Sequence, residues 1–101
     1  MQIEPVAITQ EALSAIAEII QKKEIPDGYG LRIYLADKGI SCGTNQYQLG
    51  FDKPGDTDLT YERNNITIIV KKMQAVHLAG LILDFVTEED VSGFSFRREN
   101  Q

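Results

Sequence analysis

Leu13, Ile16, Ala17 and Ile20 recur at i, i+3, i+4 and i+7, the spacing that sets apolar side chains on one face of a helix. Thr9 stands ahead of the run as an N-cap, and Glu11 falls in the first turn. Lys22 and Lys23 follow the run, where positive charge suits a helix C-terminus. The spacing predicts a helix over residues 9–23 that covers a sheet, with Leu13, Ile16 and Ile20 buried. Pro26-Asp27-Gly28 then breaks the pattern. The polar face carries Glu11 and Glu18, not the basic stripe of a helix that lies on a membrane.

Beyond residue 30 the period shortens to two. Leu31, Ile33 and Leu35 alternate with Arg32 and Tyr34, and Tyr47, Leu49 and Phe51 repeat the pattern. Asp52-Lys53-Pro54-Gly55-Asp56 is a cluster of turn residues. Leu59 and Tyr61 mark a third strand, and Ile66, Ile68 and Val70 a fourth. Between these two, Arg63-Asn64-Asn65 suits a tight hairpin, because Asn tolerates positive φ. Lys71 to Ala79 has few turn signals and reads as a short helix. Leu83 and Phe85 alternate around Asp84, Glu88-Glu89-Asp90 reads as a solvated turn, and Phe94 and Phe96 mark a last strand. One helix followed by short strands predicts a mostly-β domain, a small sandwich or irregular barrel.

At 101 residues the chain is expected to be one domain, residues 1–101, able to bury its own core. The N-terminus has no basic head or apolar signal stretch. The longest nearly apolar run, Val76 to Val86, holds His77 and Asp84 and falls short of the ~20 residues that span a bilayer. A cytoplasmic protein is expected. The formal charge is -5, and the basic pairs Lys22-Lys23, Lys71-Lys72 and Arg97-Arg98 are short and separated. Neither nucleic acid nor an anionic membrane is an expected partner, since both need a concentrated basic surface.

The candidate chemistry rests on the single cysteine, Cys42, in the loop Asp37-Lys38-Gly39-Ile40-Ser41-Cys42-Gly43-Thr44-Asn45. Residues 38–45 offer little that packs, so the thiol is expected to be accessible. No catalytic set is predicted. A Cys-His nucleophile would need an orienting group and an oxyanion motif, and the sequence indicates neither. His77 is expected to pack within a helix, between Val76 and Leu78. The alternating Tyr and Phe residues are expected on sheet faces.

With these elements in place, the chain resembles the A-type iron-sulfur carrier, or HesB-like, family. The resemblance rests on the N-terminal amphipathic helix, Leu31-Arg32-Ile33, the cysteine loop, Tyr47-Gln48-Leu49-Gly50-Phe51, the hairpin from Asp58 to Val70, Leu83-Asp84-Phe85-Val86, and Gly93-Phe94-Ser95-Phe96. It covers about residues 8 to 100. It implies a small HesB-like β-sandwich or pseudobarrel with an N-terminal helix and a short second helix. Cys42 lies five residues before Tyr47, where the family places its first ligand cysteine. The family's other two cysteines belong to a Cys-Gly-Cys tail after the last strand; this sequence reaches Gln101 without one. Its Asn-Pro-Asn turn corresponds to Arg98-Glu99-Asn100. The resemblance therefore carries over a cluster or metal ligand at Cys42 only.

Ligand arithmetic limits what one thiolate can do. An all-cysteine iron-sulfur cluster takes four thiolates. This chain supplies one, and a symmetric homodimer would supply two. The remaining ligands would come from small thiols or a partner's cysteines; Asp37 and Asp56 are the carboxylates that could approach the loop. Two readings stay open. In the first, the chain is an iron-sulfur assembly accessory that carries labile iron or a cluster through Cys42, for assembly or recipient proteins. In the second, it is a HesB-like interaction module without cluster chemistry. Under either reading it is not an enzyme, and no cofactor is expected to stay with the isolated chain.

Overall fold

The computed structural model describes residues 5–35 and 47–98. Within them the chain runs β1 (Val6–Ile8), α1 (Gln10–Lys22), β2 (Gly30–Leu35), β3 (Tyr47–Asp52), β4 (Asp58–Arg63), β5 (Ile66–Lys71), α2 (Lys72–Leu78), β6 (Leu81–Glu88) and β7 (Val91–Arg98). The strands form two sheets. One has the order β1-β6-β7 and the other β3-β2-β5-β4. The expected mostly-β sandwich is what forms.

The helix forms where the apolar spacing placed it. Thr9 Oγ1 accepts from Ala12 N at 3.2 Å, so Thr9 is the N-cap. The C-terminus closes one residue earlier than expected. Lys23 is the C-cap, Glu24 takes a positive φ of 52°, and Ile25 N donates to Ile20 O at 3.0 Å. This is the reversal that commonly ends a helix, here with Glu where Gly is usual. Leu13 and Ile16 are buried with Ala12. Ile20 is only partly buried against the core and Ala17 is exposed, so the buried face is the narrower stripe of Ala12, Leu13 and Ile16.

Leu31, Ile33, Ile66, Ile68, Val70, Leu81 and Leu83 meet Leu13 and Ile16 in the core between the sheets. The β4–β5 turn puts Asn64 at φ 51° and Asn65 at φ 68°, the left-handed pair that suits a two-residue hairpin. Glu88-Glu89-Asp90 is exposed around the β6–β7 turn, as its composition indicated.

Three features lay outside the sequence pattern. β1 is a strand of three residues that runs parallel to β6, from Val6↔Leu81 to Ile8↔Leu83. β2 also pairs parallel with β5. Both pairings join segments distant in sequence. Tyr61 ties the two sheets together: its hydroxyl donates to Val6 O at 2.8 Å and accepts from Val6 N at 3.3 Å. Burial pushes its phenol up to about 12.

His77 departs from its expectation. α2 buries Leu78, while Val76 and His77 are exposed. A helix of two turns can turn only a narrow face to the sheet, and Leu78 with the half-buried Gln74 and Ala75 takes that face.

Candidate functional site

Cys42 and Asp37, with the rest of residues 36–46, lie outside the described residues. The base of that loop is well defined. Leu35 ends β2, Tyr47 begins β3, and the two are direct antiparallel partners. β2 and β3 stay in register from this pair to Gly30↔Asp52, so the loop is the connection of a six-pair ladder.

Two contacts hold the base. The first comes from α2. β5 pairs with β2 only at Leu31 and Arg32, then ends at Lys71 and gives way to the helix. Gln74 supplies what the departing strand no longer can. Leu35 N donates to Gln74 Oε1 at 3.2 Å, and Gln74 Nε2 donates to Leu35 O at 3.4 Å. A side-chain amide thus satisfies a strand end that would otherwise lose its partners. The second contact comes from the other sheet. The Tyr47 ring lies 5.2 Å from the Phe96 ring, tilted by 37°. Phe96 is two residues before the end of β7. The fold therefore brings the start of β3 and the end of β7 together. These are the two places between which the resemblance divides its three cysteines.

Asp56 lies away from the Leu35–Tyr47 base. It lies beyond Asp52, at the opposite end of the β2–β3 ladder from Leu35 and Tyr47. Five residues of strand separate the two ends, about 17 Å. Among the described residues, no three His, Cys, Asp or Glu side chains group to hold a metal.

The strongest polar cluster is at that far end, and its groups are engaged with one another. Arg32 Nη1 and Nη2 donate to the two Asp58 oxygens at 2.9 and 2.8 Å, Nε donates to Asp52 at 3.1 Å, and Nη2 also reaches Lys53 O. Gly55 N donates to Asp58 at 2.7 Å. The Arg32 guanidinium holds the Asp58 carboxyl below the ordinary carboxylate range, and the same pairing raises Arg32. The cluster staples β2, β4 and the intervening turn.

Asp84, singled out within Leu83-Asp84-Phe85-Val86, has a comparable structural role. Its Oδ1 accepts from Thr9 Oγ1 at 2.8 Å and from Phe85 N at 2.8 Å. Thr9 N also donates to Leu83 O at 3.0 Å. The helix cap is therefore fastened to β6. The Thr9 hydroxyl, then the Phe85 amide, hold the Asp84 carboxyl below its ordinary value.

Gln74 and the Tyr47–Phe96 pair were not singled out from the sequence. The partners of Gln74 are 39 residues away, and no local pattern marks a side chain that replaces a strand.

The comparisons agree with this layout. The family model described as iron-sulphur cluster biosynthesis matches residues 4–101. The iron-sulfur cluster insertion protein ErpA of Saccharophagus degradans is 32% identical over 94 residues, covering 92% of this chain and 76% of that protein. In structure, the chain is similar to Escherichia coli SufA, involved in biosynthesis of iron-sulfur clusters, with a TM-score of 0.77 and 25% identity over 95% of this chain and 82% of that one. It is also similar to IscA solved with a 2Fe-2S cluster, with a TM-score of 0.71 and 26% identity over 94% of this chain and 86% of that one.

Proposed function

This chain belongs to the iron-sulphur cluster biosynthesis family, and on that premise we propose that it is an assembly accessory of a single HesB-like domain, carrying iron or a cluster transiently through Cys42. The observation that carries the reading is the position of Cys42. It lies five residues before Tyr47, in the connection whose base is held by Gln74 and faces the end of β7 through Phe96.

The cluster is cargo in this scheme. Cys42 offers one thiolate where an all-cysteine cluster takes four. The others come from a small thiol such as glutathione or from a cysteine-bearing assembly or recipient protein. A site completed from outside releases its cargo when the outside ligands leave, which suits transfer better than storage. Such a carrier works in the cytoplasm, needs no catalytic residue, and allows a homodimer that doubles the thiolates. No helix among the described residues is long and apolar enough to cross a membrane.

Paired anaerobic reconstitution of the wild type and Cys42→Ser, with and without glutathione, tests the proposal by visible absorption and bound iron. The expected result is substoichiometric, chelator-sensitive iron in the wild type with the thiol present, and none in Cys42→Ser. Equal iron in both proteins would remove Cys42 from the mechanism and leave an interaction module on the family's fold.

A further inference from the structure

β1 and β6 run side by side only from Val6↔Leu81 to Ile8↔Leu83, while β6 is eight residues long. At Thr9 the chain turns into α1, and Thr9 N makes the last bond to this edge, to Leu83 O. The β1-β6-β7 sheet has no further strand on that side. The edge of β6 from Asp84 to Glu88, about 17 Å of strand, is therefore left without a neighbour.

The direction of its backbone groups follows from the ladder. Both groups of a strand residue point to one side, and successive residues alternate. Leu83 O meets Thr9, so the groups of Phe85 and Thr87 point away from β7. The hairpin gives the same phase: Glu88↔Val91 closes its two-residue turn, which assigns Glu88 and Val86 to β7. Asp84 Oδ1 occupies Phe85 N at 2.8 Å. Among the described residues, Phe85 O and both backbone groups of Thr87 have no hydrogen-bond partner. Such groups are a template for another strand.

α1 stands beside this edge. Between them lies a groove of ≈ 420 Å³, lined by Glu11, Ala15 and Glu18 of α1 and by Phe85 and Thr87 of β6. A strand edge with a wall beside it suits peptide recognition by strand addition: backbone bonds give affinity, and alternate side chains give specificity. The charged residues of the lining are Glu11 and Glu18, both exposed. Ala15 lies between them on α1 and makes an apolar floor with the half-buried Phe85. Seven residues of helix set the two carboxylates about 10 Å apart. Side chains at i and i+4 of a strand are about 13 Å apart, a difference that long basic side chains absorb.

We propose that this groove takes an extended basic segment of a partner protein, with a basic, an apolar and a basic residue at i, i+2 and i+4 facing α1. The segment adds to β6 where β1 leaves off. Its backbone pairs with Phe85 O and with both groups of Thr87. Its central side chain rests on Ala15 and Phe85, and its basic side chains reach Glu11 and Glu18. The chain's formal charge of -5 favours the encounter. The inference stands on β6 and α1 alone and does not rest on Cys42.

The test uses the full, isotopically labelled chain and a capped synthetic peptide, Ser-Arg-Thr-Val-Thr-Arg-Ser, which carries no thiol. Saturable binding is expected, weaker at high salt, with amide exchange slowed at Thr87. Val86 and Glu88, which already face β7, are expected to keep their exchange rates. Glu11→Lys and Glu18→Lys are each expected to weaken binding roughly tenfold, and circular dichroism checks that both fold. N-methylation of the peptide's valine and the threonine after it removes a backbone donor facing β6 without changing charge, and is expected to cost roughly tenfold as well. No binding at millimolar peptide overturns the proposal, as does binding indifferent to both glutamate substitutions or to N-methylation. Binding that leaves Thr87 exchange unchanged is charge attraction without strand addition and overturns it too. Thr87 protection that rises with chain concentration in the absence of peptide would place a second copy on this edge, and the partner segment would be excluded. None of these results bears on iron bound through Cys42, so the two readings fail separately.

Discussion

On the outward side of the four-stranded sheet, Ile69 is fully buried although it faces away from the main core. Arg32 is its register partner on β2 and reaches across β5 to Asp58 on β4, while Gly30 leaves the room that Ile69 Cδ1 fills. On the outward side of the three-stranded sheet, Val86 and Val91 are exposed, Gly93 leaves a gap, and Arg97 holds Asp84 loosely. Both faces have an apolar residue, a glycine, an arginine and an aspartate. One uses them to close itself; the other leaves them open. The closed face belongs to the sheet that carries Leu35 and Tyr47, and the open face to the sheet that ends in β7.

Substitutions on the two faces probe this contrast. Ile69→Ala is expected to have the largest effect. It removes a fully buried side chain and should cost about 2–4 kcal/mol in urea unfolding. A loss below about 0.5 kcal/mol, the range of ordinary surface changes, would show that the outer face is not closed.

Asp58→Asn should come next, at about 1–3 kcal/mol. The Asp58 side chain is 4% exposed and pairs bidentately with Arg32, while Asp52, 58% exposed, compensates little. The dependence on pH has a definite sign. The folded carboxyl is held below its ordinary value. Its contribution is therefore full above the unfolded pKa of about 3.9 and is lost as pH falls through the lower folded value. Unfolding midpoints of wild type and Asp58→Asn should converge on acidification below that point. A constant gap would mean that the ion pair contributes nothing.

Val91→Ser should have the smallest effect on stability, within about 0.5 kcal/mol, because Val91 packs on little of its own chain. A large loss of stability would mean that the hairpin face is closed in the monomer, and the contrast would disappear.

The local elements were legible in the sequence because each is set by neighbours in the chain. The period of Leu13, Ile16 and Ile20 and the cap at Thr9 specify α1; alternation specifies β2 to β7; Asn64-Asn65 specifies its turn. The resemblance resting on Cys42, Tyr47, Leu83-Asp84-Phe85-Val86 and Gly93-Phe94-Ser95-Phe96 led to the family that the comparisons show. Tertiary structure decided which of these residues act together. The parallel pairings β1–β6 and β2–β5, Tyr61 on Val6, Gln74 on Leu35, Arg32 on Asp58, and Thr9 on Asp84 all join residues far apart in the chain. A periodicity can assign a side chain to a face. It cannot say which remote backbone group or charge that face will meet, because that depends on how the two sheets come together. Thus the one-thiolate limit at Cys42 follows from composition, whereas the side chains that hold Leu35 and Tyr47 on either side of residues 36–46 follow only from the packed fold.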